Sequence, residues 1–156
     1  MKTNIKIFIS CHKKCYIPNN KYMYAIQVGS AMANERFDNM LHDDEGCNIS
    51  AKNRMYCELT GQYWAWKNQE ADYYGFFHYR RYLSFAEEVF KENAFGDAVM
   101  PCVTDEILEQ LKLTENTLER EIPKYDIITT KPVSLKKLGK NAKTNYQQYI
   151  TTPYQY

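Results

Sequence analysis

Apolar and polar positions alternate in short blocks along this chain, and the blocks predict strands and helices in turn. Ile5-Lys6-Ile7-Phe8-Ile9-Ser10 is short, β-branched and mostly apolar, the pattern of a buried strand, and it ends where Cys11-His12-Lys13-Lys14 turns polar and basic. Tyr22 to Val28 is a second extended segment closed by Gly29, and Ser30 to Phe37 reads as a short helix. His42-Asp43-Asp44-Glu45-Gly46-Cys47-Asn48 is an acidic loop, after which Asn53 is placed to cap a helix from Arg54 to about Asn68. Met55, Leu59, Gln62, Tyr63 and Trp66 fall on one face of that helix, whereas Trp64 points nearly opposite, beside Cys57 and Gly61. The two indoles therefore cannot share one core.

Asp72 to Tyr79 reads as a central strand, and it too ends in cations, Arg80 and Arg81. Phe85 to Val99 is amphipathic and is expected to include a helical turn before Pro101. Thr104 caps a predicted helix from Asp105 to about Leu111, and Thr114 caps another from Glu115 to Ile122, ended by Pro123. Tyr125 to Thr129 is a further predicted strand, closed by Lys131-Pro132. The alternation predicts an α/β domain over residues 1–133 and a basic, irregular tail over 134–156. Two strands deliver positive charge at their C-terminal ends, the edge of an open α/β sheet where ligands bind.

A length of 156 residues suits one core. Fourteen tyrosines suit half-buried surfaces, because the ring packs while the hydroxyl stays hydrogen-bonded. Twenty basic and nineteen acidic side chains nearly cancel, which removes the global field that holds a protein on a nucleic-acid backbone. Five cysteines, an odd number without C-x-x-C spacing, argue against a disulfide framework or a zinc ribbon and for reduced thiols in a cytoplasm. The apolar run Ile5 to Ile9 is too short for a signal-peptide core, and no later run is long enough to cross a bilayer.

Three clusters are candidates for chemistry. His78-Tyr79-Arg80-Arg81 supplies positive charge of the kind a diphosphate leaving group needs, and arginine's planar fork holds two phosphate oxygens at once. The alternative is a strand end whose arginines pair with surface carboxylates. Asp43-Asp44, with Glu45 nearby, supplies hard oxygen ligands for manganese or magnesium, Asp44 being the candidate contact; a solvated acidic turn is the commoner meaning. Glu58, on the helix flank, is suited to orient a sugar hydroxyl or a basic side chain, or is simply exposed. Cys11-His12-Lys13-Lys14-Cys15 matches no structural zinc pattern, so His12 and Lys13 are better read as base or phosphate contacts.

Longer strings carry a resemblance. Asp43-Asp44-x-Gly46-x-Asn48-Ile49-Ser50-x-Lys52-Asn53, then Cys57-Glu58-Leu59-Thr60-Gly61-x-Tyr63-Trp64-Ala65-Trp66-Lys67-Asn68, then Asp72-Tyr73-x-Gly75-x-x-His78-Tyr79-Arg80-Arg81-Tyr82 closely resemble the bacterial capsular and exopolysaccharide biosynthesis glycosyltransferases once catalogued only as a domain of unknown function. Ile7-Phe8-Ile9-x-x-His12-Lys13-Lys14, Ile26-Gln27-Val28-Gly29 and Tyr125-Asp126-Ile127-Ile128 extend the likeness over residues 5 to about 133. The resemblance implies a Rossmann-like type A glycosyltransferase sheet and a nucleotide-diphosphate sugar donor. It also implies a lipid-linked polysaccharide acceptor at the cytoplasmic face of the membrane. His12, Lys13, Gln27, Gly29, Asp43, Asp44, Asn48, Lys52, Asn53, Glu58, Trp64, Lys67, His78, Arg80 and Arg81 are the donor-binding positions it suggests. Type A enzymes usually end the central strand in Asp-x-Asp, which holds a metal under the diphosphate. Here His78-Tyr79-Arg80-Arg81 stands at the comparable end, and the arginines are expected to replace some or all of the metal's charge.

Cys47 stands where the family has an aspartate, and family members continue past residue 156 into a helical part. Two alternatives follow: an inactive remnant that at most binds nucleotide sugar, and a small nucleic-acid-binding module built on the Tyr and Lys residues after Lys131. The near-neutral charge disfavours the second.

Overall fold

The computed structural model describes residues 3–87, 90–93 and 97–130. Contacts divide the chain into one unit of residues 1–87 and 102–128 and a second of residues 88–101 and 129–156. Among its described residues the second contributes one antiparallel bridge, Glu92 with Ala98. The strands and helices described below belong to the first.

Four parallel strands, β1 (Ile5–Cys11), β2 (Met23–Gln27), β3 (Leu41–His42) and β4 (Tyr73–His78), form one sheet in the order β3-β2-β1-β4. The apolar run that predicts β1 lies at the centre, where both faces are covered and an uninterrupted apolar sequence is required. Phe8, Ser10, Ile26, Phe76 and His78 share one face by register, and Ile5, Ile7, Ile9, Met23 and Ala25 share the other, where all five are buried.

The first face is covered by α2 (Leu59–Asn68), which follows a single turn, α1 (Asn53–Tyr56). Phe8, Ile26, Val28, Trp64 and Ala65 make the core between them, with Trp64 edge-on to Phe8 at 6.2 Å. Gly61 permits the close approach: a Cβ there would lie 2.9 Å from Val28 Cγ1. Trp64 is 4% exposed and Trp66 64%, so the helix does separate the two indoles. Leu59, Gln62, Tyr63 and Trp66 instead join Tyr74 and Phe76 along an open apolar groove. α3 (Asp105–Gln110) and α4 (Glu115–Glu121) begin as predicted, with Thr104 Oγ1 accepting from Ile107 N and Thr114 Oγ1 from Thr117 N. Each such cap contributes about 1 kcal/mol.

Four local expectations are corrected. Ser30 to Phe37 forms only a 3-10 turn at Ser30–Met32, because the Gln27 amide donates to Glu35 O and accepts from Phe37 N, replacing the helical bonds of that stretch. The loop expected from His42 begins one residue later, because Leu41–His42 form the two-residue strand β3, too short for any periodicity. The helix expected from Arg54 to Asn68 breaks at Cys57, whose φ of 47° is left-handed, and Asn53 does not cap it from in front. Asn53 Nδ2 donates instead to Cys57 O and Thr60 Oγ1, holding the break from within. Among the described residues Tyr125 to Thr129 pairs with no strand, and it exposes Tyr125 and Ile127. Of the stretch from Phe85 to Val99, where a helical turn is expected, residues 88–89 and 94–96 lie outside the described residues; Phe85 N donates to Leu111 O. Lys131-Pro132 and the tail over 134–156 lie outside the described residues.

Candidate functional site

The C-terminal ends of β1 and β4 are neighbours, and the residues beyond them meet around one tyrosine ring. Tyr79 is buried, its N–H donating to Ser10 O at the end of β1, so its ring stands between the two strand ends. His12 packs edge-on to that ring at 5.1 Å, Lys13 Nζ lies 5.4 Å from its centre and the Arg80 guanidinium 5.0 Å. A cation over an aromatic face is stabilised by roughly 0.5–1 kcal/mol at an exposed position. Among the described residues no carboxylate pairs with Lys13, Arg80 or Arg81, in contrast to Lys14, whose Nζ is 2.5 Å from Glu35 Oε1. The surface ion pairs offered as an alternative for the arginines are thus not found among the described residues.

His78 closes this rim. A tight turn links it to Arg81 by two backbone hydrogen bonds, His78 N to Arg81 O and Arg81 N to His78 O. Its Nδ1 accepts from Arg80 N at 3.3 Å, which places the proton of the neutral ring on Nε2, 3.6 Å from Glu58 Oε1 at the start of α2. Burial lowers the His78 pKa; Glu58 opposes this, while Arg81, Arg80 and His12 lower it further. A neutral His78 leaves the positive charge of the rim on Lys13 and the arginines.

A second group of predicted residues builds scaffold. Asp43 is fully buried and accepts four hydrogen bonds: Ser30 N (2.9 Å) and Ser50 Oγ (2.5 Å) on Oδ1, Gly29 N (2.8 Å) and Thr60 Oγ1 (2.6 Å) on Oδ2. One carboxylate so ties the turn after β2 to α2 and to the 3-10 turn at Ser50–Lys52, and no surface of it is left for a donor or an ion. Gly29 sits at φ 71°, and a Cβ there would lie 2.9 Å from the Asn53 side chain. Gln27 holds residues 35–37, and Asn48 Nδ2 donates to Asp44 O and Gly46 O. Trp64 donates its indole N–H to Glu45 O and packs within the core. Lys67 lies 3.5 Å from the Trp66 ring centre, two residues before Gln69, which accepts from Lys6 at the start of β1. Lys67 is therefore at the end of the sheet remote from His12. Lys52 is exposed at the close of its 3-10 turn.

Asp44 is held by Arg36, Nη1 to Oδ2 at 2.6 Å, while Glu45 takes the other guanidinium nitrogen. Its Oδ1 is buried without a hydrogen-bond partner, and so is His42 Nε2. One carboxylate oxygen suits a divalent ion, but among the described residues no three His, Cys, Asp or Glu side chains gather to hold one. Sequence reasoning missed two participants. Tyr79 stood inside the singled-out string as the aromatic between cations; Arg36 gave no signal, its role depending on a loop contact.

The parallel α/β fold is shared with a glycosyltransferase: the solved apo structure of WbbM, a bifunctional glycosyltransferase, matches 96% of the chain with a TM-score of 0.85 at 39% identity. The match takes in 26% of the WbbM chain, so this chain spans about a quarter of that protein. The family described as Domain of unknown function (DUF4422) matches residues 6–155, and the chain belongs to it. That match runs beyond residue 133, where the likeness read from the sequence stops. No curated protein matches the chain. Among the described residues no helix is long and apolar enough to cross a membrane.

Proposed function

We propose that this chain is the donor-binding part of a glycosyltransferase, seating the diphosphate of a nucleotide sugar on the rim formed by His12, Lys13, Arg80 and Arg81. The observation that carries the reading is the convergence of His12, Lys13 and Arg80 on the Tyr79 ring, at the joined C-terminal ends of two parallel strands. Lys13 contributes a mobile point charge and the arginines contribute planar forks, a combination suited to the oxygens where charge develops as the sugar departs. Neutral His78, fixed by Arg80 N and facing Glu58, positions the turn that carries the arginines. The likeness to WbbM supports sugar transfer as the reaction class. The finer reading is a lipid-linked polysaccharide precursor as acceptor, at the cytoplasmic face of the membrane, in capsule or exopolysaccharide synthesis; it rests on the sequence strings alone.

The test is thermal stabilisation by uridine diphosphate and its sugar conjugates, with free sugar as control, since a ligand that prefers the native state raises stability by mass action. Stabilisation that survives a chelator and is lost in Lys13→Ala with Arg80→Ala is expected. Stabilisation that requires manganese or magnesium and is unchanged in that double variant would overturn the assignment of the rim. Slow release of sugar from the bound donor would then separate a working transferase from an inert binder.

A further inference from the structure

The five cysteines are not equivalent in the folded chain. Cys47, Cys57 and Cys102 are exposed, whereas Cys11, the last residue of β1, is buried and lies beside partly exposed Cys15, with 3.2 Å between the two sulfur atoms. A disulfide needs about 2.05 Å, so the pair would have to close by roughly 1 Å. The sequence offers no C-x-x-C motif here; the juxtaposition arises because the chain bends at His12 and Lys13 directly after the strand.

We propose that Cys11 and Cys15 are a redox-active pair that forms a reversible disulfide with low-molecular-weight disulfides such as oxidised glutathione, clamping the loop that carries His12, Lys13 and Lys14. Access comes from the Cys15 side. Cys15 lines a hollow of about 390 Å³ with Lys14, Glu35, Arg36, Phe37 and Asp38, large enough to admit a small reactant. Burial, reinforced by the neighbouring sulfur, pushes the Cys11 thiol up, which makes Cys15 the attacking group and Cys11 the resolving one. The Cys15 thiolate attacks one sulfur of glutathione disulfide, breaking its S–S bond and expelling one glutathione thiolate. The Cys11 sulfur then gives up its proton, attacks the Cys15 sulfur and expels the second glutathione. Two protein thiols are oxidised to one disulfide, one glutathione disulfide is reduced to two thiols, and the two cysteine protons end on the released glutathiones. This pairing stands apart from the proposed sugar-transferase reading and is tested without any sugar nucleotide.

The experiment equilibrates the full chain in glutathione buffers of graded oxidation, quenches with iodoacetamide and digests with trypsin. Cleavage after Lys6, Lys13, Lys14 and Lys21 puts the two cysteines in separate peptides, 7–13 and 15–21, which only a disulfide can keep together. The expected result is that linked species, two mass units lighter than the sum of its peptides, rising with oxidation and vanishing in reducing buffer, while five alkylatable thiols fall to three. The variant Cys47→Ser/Cys57→Ser/Cys102→Ser, whose exposed sulfurs are dispensable to packing, should form the link unchanged, and Cys15→Ser should leave Cys11 reduced throughout. Separately alkylated peptides at every buffer, glutathione retained on Cys15 without resolution, or links to Cys47, Cys57 or Cys102 in place of this pair would each overturn the proposal.

Discussion

The carboxylate of Asp43 is the most demanding structural assignment, because the same residue reads as a ligand contact in the sequence. Replacing it by alanine strands four donors in a buried site: the N–H groups of Gly29 and Ser30 and the hydroxyls of Ser50 and Thr60. The hydroxyls can turn; that of Thr60 already lies 3.1 Å from Cys57 O. The two backbone N–H groups cannot. At roughly 1–3 kcal/mol for each stranded donor, Asp43→Ala should cost about 4 kcal/mol, and Asp43→Asn, which keeps one accepting oxygen but turns an amide N–H toward the other pair, about 2 kcal/mol. For a domain of this size that corresponds to falls of roughly 10 °C and 5 °C in melting temperature. The assay is urea and thermal unfolding of ligand-free protein, followed by circular dichroism. Absence of ligand is the point: a scaffold residue shows its effect in the empty protein. If Asp43→Ala unfolds within about 1 kcal/mol of the parent yet no longer binds uridine diphosphate, the hydrogen-bond account is refuted and the ligand role stands.

Trp64→Ala should cost about 3–5 kcal/mol through the cavity against Phe8 and Ile26, and Trp66→Ala under about 0.5 kcal/mol; equal losses in unfolding midpoint would contradict the assignment of the indoles. Gly29→Ala forces a side chain into left-handed backbone and against Asn53, for about 2 kcal/mol, measured in the same way. His78 has a folded pKa below its unfolded value, so its contribution is present above about pH 6.5 and lost as pH falls through the folded pKa. Stability measured against pH should show that acid-side loss, and His78→Gln should remove it. In an NMR titration Glu58→Gln should lower the His78 pKa further, because the one opposing charge is gone. Arg80→Ala should weaken uridine diphosphate binding about tenfold to a hundredfold by calorimetry, the range of one charge-assisted contact.

Several elements that follow from neighbours in the chain were legible in the sequence. The β-branched run of β1, the aromatic run of β4, the Thr104 and Thr114 caps and the opposed faces of α2 each depend on residues a few positions apart, and each is present. The positive charge at two strand ends was equally legible, because a basic run directly after a strand must emerge at that strand's C-terminal edge. Only the tertiary structure decided that these two ends adjoin, that Tyr79 supplies their common floor, and that β3 exists at all. The same holds for the acidic and amide positions. Whether Asp43, Gln27 and Asn53 face a ligand or the protein depends on which backbone groups lack partners once distant segments have packed, and composition and spacing carry no record of that.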